Sequence, residues 1–235
     1  TRYRSSAASD VYKRQILDEH HEQLGAVIVE PFQRLIPPAP GFLEVLRDMT
    51  LKYDIPLIFD EIVTGFRFAY GGAQEFYSVT PDLCSLGKII GGGFPLAAVG
   101  GRKDLMQLFD KDAVGDKHFL PQIGTLSGNP VASAAGLATL EILKPKSAYE
   151  TVFDTGRVLM GELEAAMKDY GHSAVILGEP PLFDVFFTDN EISDYRGILK
   201  ADPKKGSAFN KLLRSNHVFK GCLLYTSDAA DDLYR

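Results

Sequence analysis

The fold follows from residues 24–61, which begin with the apolar run LGAVIVE at 24–30 and end with PLIFDE at 56–61. The first run is short and rich in β-branched residues, as expected for a strand that is buried on both faces. Between the runs, after the break PPAPG at 37–41, apolar residues recur at helical spacing: Phe42, Leu43, Leu46 and Met49. Strand, helix and strand in this order predict a βαβ unit with parallel strands.

The rest of the chain continues the α/β pattern and then changes to a smaller α+β region. Further strands are predicted at residues 83–86, 96–99, 175–177 and 183–187. Helices are predicted at residues 129–143, which are rich in alanine and leucine, and at residues 148–170, with Gly171 as the C-cap.

The two ends of the chain differ from the rest. Residues 5–15 (SSAASDVYKRQ) and 222–232 (CLLYTSDAADD) show no apolar periodicity and resemble translated sequencing adapters. We therefore expect residues 1–15 and 222–235 to be non-native tails.

Charge and composition exclude several classes of protein. The chain has 235 residues with 25 Lys and Arg against 31 Asp and Glu, a formal charge of −6. Such acidity argues against nucleic-acid binding, which depends on Lys and Arg neutralising phosphates. No apolar run approaches the length needed to cross a bilayer, so no membrane association is expected. Two cysteines, Cys84 and Cys222, fit a reducing compartment and predict a cytoplasmic protein.

Asp60 is the first candidate functional residue. It ends a predicted parallel strand, where open α/β sheets bind their ligands, and a carboxylate there would want a cationic partner. A strand that ends in Asp-Glu also resembles part of a nucleotide-binding ATPase core. That function requires a phosphate loop, but Lys88 is followed by Ile89, and Asp82 stands where the loop's first glycine should be. From this residue alone, the simpler interpretation that Asp60 caps a turn is favoured.

Lys88 is the second candidate. A lone lysine before a glycine run, here residues 91–93, is usually a solvated loop residue. Together with Asp60, however, it places an amine and a carboxylate at the ends of neighbouring strands. Pyridoxal-phosphate chemistry needs this pair, because the amine forms a Schiff base with the cofactor aldehyde and the carboxylate keeps the ring nitrogen protonated.

The third candidate is the segment GTLSGNP at residues 124–130, which opens the predicted alanine-rich helix. Hydroxyls and free N–H groups at a helix start suit an anion such as phosphate. Simple N-capping by Ser127 or Asn129 explains the segment equally well.

Other residues give weaker signals. His20 and His21 lack further ligands at a spacing that would hold a metal, so no metal site is predicted. His118 is most simply a polar loop residue, although it could face a cleft. Cys84 is most simply a small buried residue.

Four motifs in order resemble class III pyridoxal-phosphate aminotransferases, and most closely their glutamate-1-semialdehyde 2,1-aminomutase branch. They are DEIVTGFR at 60–67, TPDL at 80–83, LGKIIGGGFP at 86–95 and GTLSGNP at 124–130. Glu30 and Pro31 also match the Glu-Pro that follows the preceding strand in that family. After them, residues 32–35 (FQRL) replace the glycine-containing stretch of typical aminomutases.

The resemblance assigns roles to individual residues. It implies that Lys88 forms the Schiff base and that Asp60 pairs with the pyridinium nitrogen. Ile62 or Val63 would pack on the ring face. Thr125 would bind the cofactor phosphate, usually that of the neighbouring subunit, so a homodimer is expected. Glu30 would lie near the substrate.

The resemblance also implies the fold and the reaction. It implies the α/β fold of fold type I, the aspartate aminotransferase-like transferases, with an N-terminally truncated large domain at residues 16–145 and a partial small α+β domain at 146–221. The expected activity moves an amino group between a small-molecule amine or amino acid and a carbonyl acceptor. The alternatives are the aminomutase reaction, an intramolecular amino transfer in tetrapyrrole precursor synthesis, or a fragment that is inactive as it stands.

Overall fold

The computed structural model describes residues 14–33 and 35–220, and it divides the chain into two compact units. The first unit consists of Thr1–Phe32 and Pro38–Thr151, and the second of Gln33–Pro37 and Val152–Arg235. The predicted tails, 1–15 and 222–235, lie outside the described residues except for 14 and 15, which are helical.

A four-stranded sheet forms the centre of the first unit. Its strands, in spatial order, are β1 (Val27–Val29), β2 (Leu57–Glu61), β3 (Leu83–Leu86) and β4 (Ala98–Gly101). Strands β1, β2 and β3 run parallel, and helix α2 (Phe42–Lys52) connects the first two. The predicted βαβ unit is therefore confirmed. Strand β4 lies two residues later than predicted and pairs antiparallel with β3.

Helix α2 covers one face of this sheet and forms the core with it. Its apolar stripe packs against alternate residues of β2, because side chains of a strand alternate between the two faces. The buried members of this core are Leu17, Leu43, Leu46, Met49, Ile55, Leu57, Phe59 and Val79. Asp60, which follows Phe59, consequently projects from the opposite face.

The second face of the sheet is not covered along β1. Ile28 is 65% exposed, so the prediction that this strand is buried on both faces is wrong for the described residues. The physical reason is that α2 packs on one face only, and the side chain of Ile28 alternates away from it.

The remaining helices of the first unit are short, apart from α6. Residues 14–20 form α1, followed by α3 (Gly72–Phe76), α4 (Lys103–Met106), α5 (Lys111–Val114) and α6 (Pro130–Leu143). Single 3₁₀ turns occur at His21–Gln23, Lys88–Gly91 and Gln107–Phe109. The side chain of Asn129 accepts hydrogen bonds from the N–H groups of Val131 and Ala132, so this residue does cap α6.

The second unit contains a β-hairpin and several helices. Helix α7 (Lys146–Asp169) begins in the first unit and continues into the second, and Gly171 follows it with φ +68°, as a C-cap requires. Strands β5 (Val175–Glu179) and β6 (Leu182–Phe186) form an antiparallel hairpin, followed by α8 (Tyr195–Ile198) and α9 (Pro203–Ser215). Within the described ranges, no helix is both long and apolar enough to cross a membrane.

Candidate active site

The C-terminal ends of the three parallel strands bring three predicted site residues to one edge of the sheet. Val29 is registered with Phe59, so Glu30 and Asp60 come next on neighbouring strands. Lys88 follows β3 by two residues. The prediction that Asp60 and Lys88 lie at the ends of adjacent strands is confirmed.

Asp60 is half-buried and held by two neutral hydrogen-bond donors. The hydroxyl of Ser85, its register partner on β3, donates to Oδ1 over 3.0 Å. The backbone N–H of Ile62 donates to the same oxygen over 3.1 Å. Among the described residues, no Lys, Arg or His side chain pairs with this carboxylate. The cationic partner that the sequence predicts is therefore not one of these side chains. The second oxygen, Oδ2, accepts no hydrogen bond within the same residues.

Glu61 is fully buried and links the end of β2 to later residues through hydrogen bonds. Because it follows Asp60 on a strand, it projects from the opposite face. Its carboxylate accepts hydrogen bonds from the Thr64 hydroxyl (3.0 Å) and the Ala73 N–H (2.5 Å), and from the side-chain amide of Gln74 (2.9 Å). It thereby ties the start of α3 to the end of β2.

Lys88 adopts a backbone conformation that is unusual for its residue type. Its φ is +48°, in the left-handed region, where a side chain with Cβ costs about 1–2 kcal/mol. The residue opens the 3₁₀ turn that leaves β3, and its side chain is exposed. Strained backbone of this kind is found at many functional sites. In this chain it is shared by five other described residues: Leu35, Asp54, Phe66, Ser78 and His217.

Helix α6 packs directly on the Lys88 turn. A Cβ at Gly136 would lie 2.6 Å from the carbonyl oxygen of Ile90, and one at Gly92 would collide with Oγ1 of Thr139. Only glycines permit this approach, so α6 and the turn are fitted to each other.

A cleft of about 1000 Å³ opens beside this strand edge. Its wall includes Ile62, Ser85, Leu86, Pro95, Leu96, Ala97, Ala98, Val99, Met106, Phe109, Gln122 and Gly124–Gly128. Of the predicted site residues, the cleft wall therefore brings together Ile62 and Thr125. Asp60 is not part of the wall but is hydrogen-bonded to two of its members, Ser85 and Ile62. Glu30, Val63 and Lys88 are not part of the wall either.

Thr125 lies in the exposed loop that precedes α6. The loop is organised by Ser127, whose Oγ accepts a hydrogen bond from Gln122 over 3.0 Å. Thr125 and Ile62 of one chain thus line the same cleft.

The weaker candidates, His21, His118 and Cys84, lie outside the wall of this cleft. His21 stacks on Tyr53 with ring centroids 4.1 Å apart, and His118 is an exposed loop residue outside the cleft wall. Cys84 packs at the margin of the core, and burial raises the pKa of its thiol. Within residues 14–33 and 35–220, no three His, Cys, Asp or Glu side chains are grouped as a metal site.

Asp82, which stands where a nucleotide-binding loop would begin with glycine, is a buried ion-pair centre. It accepts hydrogen bonds from Arg47 (2.6 Å and 3.2 Å), from Arg102 (3.0 Å) and from the Leu57 N–H (2.8 Å). Burial would raise the pKa of Asp82, but these hydrogen bonds outweigh it and lower the pKa from 3.8 to about 2. The carboxylate joins α2, β2 and β3 at the edge opposite Asp60.

Sequence reasoning missed two residues that shape the site, Ser85 and Glu61. Period-2 alternation could have placed Glu61 on the face opposite Asp60. Ser85 gives no local signal, because its role depends on the register between β2 and β3.

The chain is similar to known proteins in both sequence and structure. A family model described as "Aminotransferase class-III" matches residues 4–206. The glutamate-1-semialdehyde 2,1-aminomutase of Pelotomaculum thermopropionicum is 43% identical over 201 residues, which cover 84% of this chain and 45% of that protein. An omega-transaminase from Sphaerobacter thermophilus superposes with a TM-score of 0.79 at 34% identity, covering 88% of this chain and 48% of the other.

A third similarity is to a solved structure described as a transaminase with PLP bound. Its TM-score is 0.66 at 30% identity, and the match covers 73% of this chain and 40% of that one. The chain thus spans about half the length of the proteins that it matches. The expected α/β transferase fold is confirmed by these superpositions, and the nucleotide-binding alternative is wrong. The chain belongs to the class-III aminotransferase family.

Proposed function

We propose that this chain carries the amino-transfer machinery of a pyridoxal-phosphate enzyme, with Lys88 and Asp60 as its catalytic residues. One observation carries the proposal. Asp60 offers an oriented carboxylate with one oxygen, Oδ2, free of donors from the described residues, and Lys88 leaves the neighbouring strand in a strained turn. Family membership supports the same chemistry.

The residues present fit the cofactor by their chemistry. The free oxygen of Asp60 suits the protonated ring nitrogen, and the amine of Lys88 suits the aldehyde. Ile62, on the cleft wall, offers an apolar surface for the ring, and Val63 is the second candidate for that contact. Thr125 and its neighbours offer hydroxyl and N–H donors for the phosphate at the start of α6.

When bound, pyridoxal phosphate supplies an aldehyde for attachment and a ring that stores the electron pair of the substrate carbon. Asp60 would hold the proton on the ring nitrogen, since a carboxylate stabilises the adjacent positive charge. Lys88, as a neutral amine, would take the proton from the substrate Cα and deliver it to the former aldehyde carbon. Glu30, at the same strand edge, would contact the substrate.

The substrates we propose are a small-molecule amino donor and a carbonyl acceptor. The 43% identity to an aminomutase favours a second candidate, in which the amino group moves between two carbons of one skeleton. The two are distinguished by supplying glutamate-1-semialdehyde alone, because only an aminomutase turns it over without a second amino compound.

Assembly and location are part of the same proposal. We expect a homodimer in which Thr125 serves the cofactor of the neighbouring subunit, although in one chain it also lines the cleft with Ile62. The acidic charge of −6 supports a protein that does not bind nucleic acid, and the two cysteines support the cytoplasm.

The test is to locate the cofactor. The chain should be studied as given and also joined behind the N-terminal part of the Pelotomaculum thermopropionicum relative, which the chain does not cover. After loading with pyridoxal phosphate, borohydride reduction of the joined protein should fix the pyridoxyl group on the Lys88 peptide. Lys103→Ala should leave the label in place, and Lys88→Ala should remove it.

The two forms of the protein should differ in activity. The chain alone should bind cofactor weakly and show no turnover, because it spans about half of its relatives. Recovery of the label on a lysine other than Lys88 in the joined protein would refute the assignment.

A further inference from the structure

The Asp60 carboxylate is held by a hydrogen bond across two strands, and the role inferred from it here rests on the proposed function. Asp60 and Ser85 are register partners on β2 and β3, so their side chains project from the same face of the sheet. The Ser85 hydroxyl donates to Asp60 Oδ1 over 3.0 Å. This contact joins two strands and does not depend on any flexible loop.

The distribution of donors on Asp60 is asymmetric. Both hydrogen bonds, from Ser85 and from the Ile62 N–H, end on Oδ1. Donors from two different segments of the chain restrict rotation of the carboxylate while leaving Oδ2 for a ligand. One backbone donor two residues along the chain would leave the carboxylate free to turn about its side-chain bonds.

Both donors to Asp60 are uncharged groups. A hydroxyl and an amide are neutral, and in the part of the chain that the structure describes no Lys or Arg pairs with Asp60. The carboxylate charge is therefore oriented without being neutralised. This differs from Asp82, whose charge is matched by Arg47 and Arg102.

We propose that Ser85 is a positioning residue, which orients Asp60 toward the cofactor ring through the hydrogen bond to Oδ1. Ser85 lies on the cleft wall, and its hydroxyl links the Asp60 carboxylate to that wall. Ser85 itself need not touch the reacting atoms.

The first test needs no cofactor. The Ile62 N–H shares the Oδ1 acceptor with Ser85, so loss of the hydroxyl should loosen the carboxylate and speed hydrogen exchange at Ile62. We expect Ser85→Ala to raise this exchange rate about tenfold, the scale of a hydrogen bond to a charged group. Ser85→Thr, which keeps the hydroxyl on a strand, should stay within about twofold. Ser127→Ala, which removes a cleft hydroxyl that does not contact Asp60, should change nothing at Ile62.

The second test measures cofactor affinity in the joined protein. Ser85→Ala should weaken pyridoxal-phosphate binding about tenfold in the wild-type background and have no further effect in Asp60→Asn. A residue that acted only on the stability of the sheet would give the same loss in both backgrounds.

The outcomes separate this inference from the proposed function. Unchanged Ile62 exchange in Ser85→Ala, or equal losses of affinity in both backgrounds, would overturn the role of Ser85. Absence of cofactor on Lys88 would refute the proposed function, while the exchange measurement on the chain would still decide whether Ser85 orients Asp60.

Discussion

At the scale of single residues, Lys88 carries an amine on a backbone conformation that costs free energy. The left-handed φ of +48° is one that glycine adopts without penalty, yet the position carries lysine. The lysine side chain gives a chemical reason for this cost, because it places an amine beside the strand that carries Asp60.

Two replacements of Lys88 should therefore measure the cost of its backbone conformation separately from the role of its amine. We expect Lys88→Gly to have a free energy of unfolding about 1 kcal/mol higher than Lys88→Ala, because only glycine relieves the left-handed strain. Both variants lack the amine, so urea unfolding of the pair isolates the backbone term. At Lys103, the first residue of α4, glycine should be less stable than alanine. Equal stability of the two Lys88 variants would show that the turn relaxes.

Asp82 is a second residue whose surroundings predict a measurable property. The pKa of this carboxyl is about 2 in the folded chain against 3.8 ordinarily, so its contribution to stability is complete above about pH 5. The contribution should fall away as the pH drops through 4 toward 2, a loss of about 2 kcal/mol.

The measurement is urea unfolding as a function of pH. In Asp82→Asn, the decrease in the free energy of unfolding from pH 5 to pH 2 should be smaller by that amount, because the titrating group is absent. Asp104→Asn is the control, since Asp104 shares the Arg102 partner but is exposed. Identical slopes in wild type and Asp82→Asn would contradict the prediction.

At the scale of elements, α6 connects two parts of the candidate site. Its N-terminus follows the Thr125 loop, and its glycine and small residues contact the turn that starts at Lys88. Ala132 and Gly136 are the buried positions of this helix. A displacement of α6 would therefore move both the Thr125 loop and the Lys88 turn.

Two glycines in helices give a matched test of this packing. Gly136→Ala should destabilise the chain by about 1–3 kcal/mol, because a Cβ there meets the Ile90 carbonyl. Gly161→Ala, in α7, has nothing within 4 Å of its Cβ and should stabilise by roughly 0.5–1 kcal/mol through helix propensity. Urea or thermal unfolding gives both values, and a stabilised Gly136→Ala would show that α6 does not rest on the Lys88 turn.

At the scale of the whole chain, the first unit has an open sheet edge. Among residues 14–33 and 35–220, strand β1 ends the spatial order of the sheet and pairs with β2 alone, and Ile28 on it is 65% exposed. An unpaired edge with exposed apolar side chains is a site of self-association.

We therefore expect the chain, expressed as given, to self-associate in a concentration-dependent manner. Ile28→Lys should reduce the association, because a charge on an edge strand opposes strand addition. Leu51→Lys makes the same exchange at another exposed apolar residue, in α2 and away from the sheet edge, and should have a smaller effect. Sedimentation velocity distinguishes these cases, and a monodisperse monomer of the unaltered chain would refute the expectation.

The sequence by itself determined the parallel βαβ unit, helices α2, α6 and α7, and the positions of Asp60, Lys88 and Thr125. These features follow from local signals, such as apolar periodicity, Asn129 before Pro130, and glycines beside a lysine, and such signals need no knowledge of distant contacts.

Only the tertiary structure decided which residues surround Asp60 and how strand β4 runs. Ser85 is 25 residues away from Asp60, and they meet because β2 and β3 pair in one particular register. Likewise, no local pattern distinguishes an antiparallel β4 from a parallel one, or reveals that Ile28 remains exposed. Each depends on which neighbour pairs with or covers a strand, and that is decided by long-range packing.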